Sequence, residues 1–220
     1  MASIPIPRQA AVPSNLARHF LDFSERLCAA LLLAAASPVL CIGSAAVAFL
    51  SGRTPWIAHR RVGWRGNTLW MFKLRTMWDT SESSIAANPC WVEYVDDQGG
   101  PEQKNEIDAR VRSRFARFCR RHSIDELPQL VHVLRGEMSL VGPRPLTETE
   151  LARYYGPSTS EVLEAKPGLA GLWQVSGRNR LDYAERRRLD LLFVRSRSFW
   201  MYARILLRTI PEVWSGTNSW

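Results

Sequence analysis

A stretch without a single charged side chain runs from Leu27 to Leu50, and it constrains the fold of this chain more than any other feature. As one helix it would be ~36 Å long at ~1.5 Å per residue, which is enough to cross the hydrocarbon core of a bilayer. Asp22 and Glu25 lie just ahead of it, and no small-residue cleavage site follows it, which argues against a cleaved signal peptide. The stretch predicts a membrane segment that the protein keeps.

Ser37 and Pro38 lie near the centre of this segment, where the proline removes a backbone donor and clashes with the preceding turn. Both flanks of the segment are basic, and Lys and Arg mark the cytoplasmic side of a membrane. A helix broken at Ser37-Pro38 that enters and leaves through one leaflet satisfies both observations, provided that the freed carbonyls find partners such as Ser37 or Ser44. On the segment alone, a plain single span with a tolerated proline is an equal alternative.

The net charge and the aromatic content indicate which kinds of partner the chain binds. The formal net charge of +8, from 29 basic and 21 acidic side chains, indicates a polyanionic partner, which could be nucleic acid, anionic lipid or a phosphorylated substrate. Nine tryptophans beside an apolar segment favour the membrane surface.

The length of 220 residues suits one catalytic domain plus a short accessory segment. We predict a mainly α fold with a few short strands. It would consist of a flexible segment at 1–19, a re-entrant membrane helix with a central break at 20–52, and a compact cytosolic catalytic domain at 53–220 with a surface loop at 79–105.

Cysteine and histidine patterns exclude two classes of site. The cysteines are scattered without a CxxC pair, so we interpret them as small buried hydrophobes rather than disulfides or ligands: Cys28, Cys41, Cys90 and Cys119. The histidines show no HExxH or comparable spacing of a metal site.

Periodicity predicts the elements after the membrane segment. Residues 56–77 form short extended pieces around a glycine-containing turn, and residues 106–121 form a helix with Val111, Phe115 and Phe118 on one face. Near the C-terminus, one helical face carries Phe199, Tyr202, Leu206 and Ile210, and another carries Arg204 and Arg208. This pattern favours an amphipathic helix at the membrane interface, with a helix packed on the core as the alternative.

The acidic pair Asp125-Glu126 is the leading candidate for chemistry. Ser123 and Glu126 have the spacing of a capping box, so a helix is predicted to begin near Asp125 and to end at Gly136. The positive end of a helix dipole keeps carboxylates ionised, and an ionised aspartate can attack phosphorus. Ordinary helix capping also selects acidic residues in a first turn, so the pair alone does not establish a catalytic role.

Basic residues around this pair strengthen the catalytic interpretation. Arg144 is bracketed by two prolines, which would hold its guanidinium ready to grip a phosphate with two donors. The other candidate phosphate-binding residues are Lys73, Arg75, Arg120 and Arg178.

These residues carry a family resemblance. The strings KLRTM, SIDELPQLVHVLRGEMSLVGPRPL and KPGLAGLWQVSGRN, with the Ser37-Pro38 break, resemble the bacterial sugar transferase family of monotopic phosphoglycosyl transferases. The resemblance covers the chain from about Phe20 onward and is closest to the short members that begin exopolysaccharide assembly. It implies that Asp125 attacks the sugar-bearing phosphate of a UDP-sugar, releases UMP and holds the phosphosugar covalently until undecaprenyl phosphate collects it.

The same resemblance implies the cofactor, the partners and the location. Glu126 would bind Mg²⁺, and Lys73, Arg120 and Arg144 would handle the phosphates. The chain would lie on the cytosolic face of the bacterial inner membrane among phospholipids, with both termini in the cytoplasm and no nucleic-acid partner; a homo-oligomer stays open. Two rival functions are a Mg²⁺-dependent phosphoester hydrolase and a non-catalytic, membrane-tethered protein that binds anionic ligands.

Overall fold

The computed structural model describes residues 15–77, 91–96, 111 and 113–215. The described chain is mainly helical with few strands, as the sequence predicts. Outside these ranges lie residues 1–14 of the predicted N-terminal segment, residues 79–90 and 97–105 of the predicted loop, and residues 106–110 and 112 of the predicted helix that follows.

The first helix, α1 (Asn15–Ser51), contains the uncharged stretch. Within the described residues it is the one helix that is long and apolar enough to cross a membrane, and most of its apolar window is exposed. The helix continues through Pro38, so the predicted break is not an interruption of helical structure. The Ser37 hydroxyl donates to the carbonyl of Ala34 at 2.8 Å, which is the carbonyl that Pro38 leaves without a backbone donor.

A small sheet follows α1 and begins with the predicted hairpin. Strands β1 (Trp56–Val62) and β2 (Thr68–Leu74) pair antiparallel around a short 3₁₀ turn, Trp64–Gly66. Strand β3 (Val92–Val95) pairs parallel to β1, so the strand order is β2-β1-β3 and β2 lies at an edge. The prediction of a surface loop at 79–105 is therefore wrong for residues 92–95, which pair with β1 in the sheet.

The next elements carry the candidate acidic pair. Helix α2 (Arg114–Arg121) buries Ala116 and Cys119 and leaves Phe118 exposed, so the predicted face is wrong for Phe118. A 3₁₀ turn, Ile124–Gln129, leads into α3 (Leu130–Arg135), which ends at Gly136 with a left-handed φ of 79°, as predicted.

The remaining chain folds as short helices and two short strands. Strand β4 (Ser139–Val141) pairs parallel to β5 (Gly168–Ala170), and side chains at Gly142 and Gly168 would collide with the facing backbone. The intervening and following helical segments are α4 (Glu148–Glu150), a π turn (Leu151–Tyr155), a 3₁₀ turn (Gly156–Ser158), α5 (Thr159–Val162), α6 (Leu172–Ser176), a 3₁₀ turn (Arg178–Arg180), α7 (Tyr183–Arg195) and α8 (Phe199–Ser215).

Helix α8 packs on the core along one face and exposes apolar side chains along another. Its inner face packs on the core through Ile205, Tyr202 and Leu206. Its outer face exposes large apolar side chains next to the exposed Arg204 and Arg208. These exposed apolar residues are Phe199, Trp200, Leu207, Ile210 and Trp214.

Helix α1 packs on the rest of the chain on both sides of Pro38. Before the proline, Ala29 is fully buried in a cluster that includes Leu130 and Leu127. After it, Val47 is fully buried in a cluster that includes Ile124. The 3₁₀ turn of the acidic pair is thus held from two sides by one helix.

Candidate functional site

The acidic pair lies on the 3₁₀ turn rather than on a capped α-helix. Ser123 takes a left-handed φ of 54° and its side chain makes no capping bond, so the predicted capping box is wrong. The amide of Glu126 instead donates to the backbone carbonyl of Ser123 at 3.1 Å. Asp125 is only 8% exposed, whereas the Glu126 side chain is 25% exposed. The turn therefore presents one buried and one accessible carboxylate.

Lys73 is brought to this turn from strand β2. Its Nζ lies 2.9 Å from Oε1 of Glu126, and its side chain is 19% exposed. A charge-assisted contact of this kind is stronger than a neutral hydrogen bond because it lies out of bulk water. The predicted Lys73 and Glu126 thus meet across the fold.

Arg178 reaches the entrance of the same turn. It follows Gly177, takes a left-handed φ of 50°, and its Nη2 lies 3.4 Å from the Ser123 hydroxyl. Two left-handed residues therefore face each other beside Asp125, and this backbone conformation is uncommon outside glycine.

Cys119 and Arg120 lie at the end of α2, next to the pair. Burial first, and then the negative charge of Asp125, raise the pKa of the Cys119 thiol to about 11. Cys119 is therefore a protonated, buried side chain, as predicted, whereas Cys28 and Cys41 are exposed on α1 and Cys90 lies outside the described residues. The Nε of Arg120 is buried and has no hydrogen-bond partner within the described part of the chain.

Arg144 lies in a second cluster, which lines a small pocket together with Tyr155, Trp173, Arg186 and Asp190. Its guanidinium carbon is 5.8 Å from the ring centre of Trp173, and that of Arg186 is 4.9 Å from the same ring. Helix α6 joins the two clusters, since it begins beside Trp173 and leads to Arg178.

Asp190 is the residue of this cluster that the sequence analysis missed. It is 1% exposed and accepts a hydrogen bond of 2.7 Å from the Tyr155 hydroxyl. Burial raises the pKa of Asp190 to about 7, although Tyr155, Arg144 and Arg186 oppose the rise. The signal in the sequence was a carboxylate on the buried face of α7, beside Leu191, Phe193 and Val194.

Arg75 makes contacts that hold parts of the fold together. Its Nε donates to the carbonyl of Thr54 at 2.8 Å, and its guanidinium pairs with Glu93 of β3. These contacts lie at the end of the sheet, and the phosphate-binding role of Arg75 stays a prediction.

The donor set at the turn fits a hard divalent cation. Asp125 and Glu126 offer adjacent carboxylates, and Mg²⁺ binds through one or two carboxylates with substrate phosphates completing the shell. Within the described ranges, no group of three or more His, Cys, Asp or Glu side chains lies together as a metal cage. The arrangement can hold a phosphorylated ligand between a carboxylate pair and several cations.

Comparisons with known proteins agree with this chemistry. The family model described as Bacterial sugar transferase matches residues 15–216, nearly the whole described chain. The chain is 38% identical to the exopolysaccharide production protein ExoY of Sinorhizobium fredii, over 85% of this chain and 82% of that protein.

Two further relatives are named for their substrates. The UDP-glucose:undecaprenyl-phosphate glucose-1-phosphate transferase of Caulobacter vibrioides is 35% identical over 98% of this chain and 75% of that protein. The undecaprenyl-phosphate galactose phosphotransferase of Salmonella typhimurium is 36% identical over 92% of this chain but only 43% of that protein. The chain therefore spans less than half of some relatives and most of others.

Proposed function

Since the chain belongs to the bacterial sugar transferase family, we propose that it transfers a hexose 1-phosphate from a UDP-sugar to undecaprenyl phosphate and releases UMP. The names of the relatives in Caulobacter and Salmonella support undecaprenyl phosphate as the acceptor and a hexose phosphate as the transferred group. The name of the relative in Sinorhizobium supports a place at the start of exopolysaccharide or glycoconjugate assembly. Glucose and galactose are the two sugars that these names support.

The observation that carries the proposal is the buried Asp125 beside the Glu126–Lys73 pair. A carboxylate with little water around it is a better nucleophile than a solvated one. An oxygen of Asp125 attacks the sugar-bearing phosphorus of the donor, and the bond from that phosphorus to the UMP oxygen breaks, with the electron pair leaving on UMP.

The second step regenerates the carboxylate. A phosphate oxygen of the polyprenyl acceptor attacks the same phosphorus, the bond to Asp125 breaks, and the electron pair returns to the carboxylate. The acyl phosphate that joins the two steps is a covalent Asp125 phosphosugar. This scheme needs no oxidant and no water, so exclusion of water from Asp125 also protects the intermediate from hydrolysis.

Mg²⁺ is the proposed cofactor, and Glu126 would hold it. When bound, it would neutralise charge on the diphosphate and on the leaving UMP. Lys73 holds Glu126 in a fixed position, and Arg120, Arg144 and Arg178 supply further positive charge for phosphate oxygens.

The packing of α1 supports a re-entrant membrane helix. Asp22 pairs with Lys166 at 2.9 Å, and Val47 packs beside Leu74, so contacts to the catalytic body extend along ~37 Å of helix. A straight helix across the bilayer would leave one of these two ends on the far side of the hydrocarbon core. We therefore infer that α1 enters and leaves through the cytosolic leaflet of the inner membrane, with both termini in the cytoplasm.

Helix α8 supports attachment to the membrane surface. Its exposed row includes Trp200, Leu207 and Trp214, with exposed arginines alongside. Indole rings and arginines suit the headgroup region, where anionic phospholipids lie. In this arrangement a water-soluble donor and a lipid acceptor would both reach the carboxylate of Asp125.

The experiment is intact-protein mass spectrometry after mixing the protein with UDP-glucose or UDP-galactose, Mg²⁺ and no acceptor lipid. Wild type should gain the mass of one hexose phosphate and release an equal amount of UMP. Asp125→Asn should bind donor, gain no mass and release no UMP. Asp96→Asn, an exposed carboxylate paired with Arg60, is the control and should behave as wild type.

Two outcomes would contradict the scheme. Full turnover with acceptor lipid and no adduct would replace the covalent step by direct attack of the lipid phosphate. Continuous UMP release without lipid would identify a phosphoester hydrolase.

A further inference from the structure

His132 is a buried histidine whose two ring nitrogens both have partners. It is 1% exposed, its Nε2 lies 3.2 Å from the backbone nitrogen of Phe72, and its Nδ1 lies 2.5 Å from Oε2 of Glu137. A backbone N–H can only donate, so Nε2 accepts and the ring proton of the neutral form is on Nδ1, where it is donated to Glu137. Both neighbours therefore select one neutral tautomer.

The contact with Phe72 satisfies an exposed strand edge. Strand β2 lies at the edge of the described sheet, so its outward-facing backbone groups have no strand partner there. A buried backbone N–H without a partner is destabilising, and His132 of α3 provides the acceptor. The rings of His132 and Phe72 are also in contact, with centres 4.7 Å apart and planes tilted by 36°.

This contact lies one residue from the candidate site. Lys73 follows Phe72 on the same strand, and its Nζ meets Glu126 on the turn that leads into α3. The His132 bond thus ties the strand that carries Lys73 to the helix that follows Glu126.

We propose that neutral His132 is a positioning residue for the transfer reaction: by accepting the Phe72 N–H, it fixes β2 against α3 and holds Lys73 on Glu126. The proposal rests on the proposed function, because it assigns a purpose to the Lys73–Glu126 contact. His132 itself touches no reacting atom.

Protonation of the ring would undo this arrangement. The charged groups that act on the ring are Glu137 and Arg135. From other elements, Arg26 of α1 lies beside Gly136, and Lys73 is the residue after Phe72 on β2. A protonated Nε2 would turn from accepting the Phe72 N–H to donating toward the carbonyl of Trp70 on the same strand. The Phe72 N–H would then lose its acceptor.

The direction of this effect follows from burial. Burial lowers the pKa of His132 below its ordinary 6.5, with Glu137 opposing and Arg135 adding to the decrease. The neutral form therefore prevails at neutral pH, and the contact is lost only as the pH falls through the lowered pKa. This predicts an acid limb in the rate that belongs to His132.

The test compares His132→Gln with His132→Leu. The glutamine carboxamide oxygen can accept the Phe72 N–H and does not titrate, whereas leucine leaves that N–H unpaired. The first readout is single-turnover UMP release from UDP-sugar between pH 5 and 8 without acceptor lipid, so that the lipid phosphate does not titrate in the assay. We expect a roughly tenfold slower rate for leucine at all pH values, and for glutamine a wild-type rate at pH 7.5 without the acid limb.

The second readout does not depend on activity. Amine labelling of Lys73, read by peptide mass spectrometry, should rise several-fold in His132→Leu and stay at the wild-type level in His132→Gln at pH 7.5. Lys166 is the internal control, since it pairs with Asp22 at the same 2.9 Å and its side chain is 16% exposed.

Each result decides one of the two hypotheses. If Lys73 labelling does not change in His132→Leu, or if His132→Gln keeps the wild-type acid limb, His132 does not position Lys73 and is a packing residue. If wild type releases no UMP from any UDP-sugar, the proposed function fails, and the Lys73 labelling still decides the role of His132.

Discussion

Replacement of Asp190 by asparagine tests the electrostatics of the second cluster. The carboxyl is buried, and one oxygen accepts from Tyr155 while the other has no hydrogen-bond partner among the described residues. Asparagine keeps the acceptor for Tyr155 and its amide fits in the same volume. It removes only the ability to ionise.

The magnitude follows from the pKa. Folding raises the pKa of Asp190 from 3.8 to about 7, so between these values the folded state binds a proton that the unfolded state releases. The free energy of unfolding of wild type therefore falls as the pH rises, by about 1.4 kcal/mol per pH unit, and levels off above pH 7. The total is about 4 kcal/mol, of which about 2 kcal/mol falls between pH 5 and pH 7. The Asp190→Asn variant has no ionisable group at this position, so its free energy of unfolding does not show this decrease with pH.

The assay is thermal unfolding of the two proteins in detergent micelles at several pH values. The melting temperature of Asp190→Asn minus that of wild type should increase by roughly 4–8 °C from pH 5 to pH 7 and then stay constant. Any constant offset from packing cancels, because only the change with pH is compared. Glu164→Gln, at an exposed carboxylate, is the control for loss of one negative charge and should show a flat difference. A difference between Asp190→Asn and wild type that is flat from pH 5 to pH 8 would refute the buried-acid argument.

Three further predictions follow from the site and the membrane helix. Arg144→Lys should lower kcat/KM roughly 10- to 100-fold, because the lysine ammonium cannot offer a phosphate the two parallel donors of a guanidinium. Arg153→Lys is the control and should keep kcat/KM, although the Arg153 guanidinium also lies over an aromatic ring. Glu126→Gln should raise the Mg²⁺ concentration for half-maximal UMP release, because a neutral amide is a poorer ligand for a hard cation; an unchanged Mg²⁺ dependence would remove Glu126 from the metal. Pro38→Ala should straighten α1 and move the N-terminus across the membrane. A cysteine introduced at position 3 would then react with an impermeant maleimide from the periplasm. Labelling of the same cysteine from the periplasm in the protein that keeps Pro38 would contradict the re-entrant topology.

Local sequence signals predicted the local structure well. The hairpin of β1 and β2, the end of α3 at Gly136 and the helical start at the acidic pair depend on turn residues and short-range periodicity, and all three are confirmed. The capping box was wrong because Ser123 takes a left-handed conformation that directs its hydroxyl to Arg178, a residue far along the chain.

Long-range contacts account for what the sequence could not predict. The sequence named basic side chains as candidate phosphate-binding residues without placing them in space. Only the fold separates Lys73, which pairs with Glu126, from Arg75, which pairs with Glu93. Strand β3 was missed because four residues between polar segments become a strand only when β1 supplies a partner. Asp190 was missed because its burial and its hydrogen-bond partner Tyr155 depend on segments that are distant in the sequence.

The packing of α1 explains how a membrane anchor and a catalytic turn act as one unit. Ile124 and Leu127 lie on either side of the acidic pair, and they pack into the clusters of Val47 and Ala29, which are on opposite sides of Pro38. Glu25 adds a polar attachment, since it accepts from the amide of Leu140 at 3.1 Å. The depth of α1 in the membrane therefore fixes the depth of Asp125. If α1 were only a tether, its replacement by an unrelated apolar helix would keep the activity, whereas a helix that braces the turn cannot be exchanged without displacing Asp125, the proposed nucleophile.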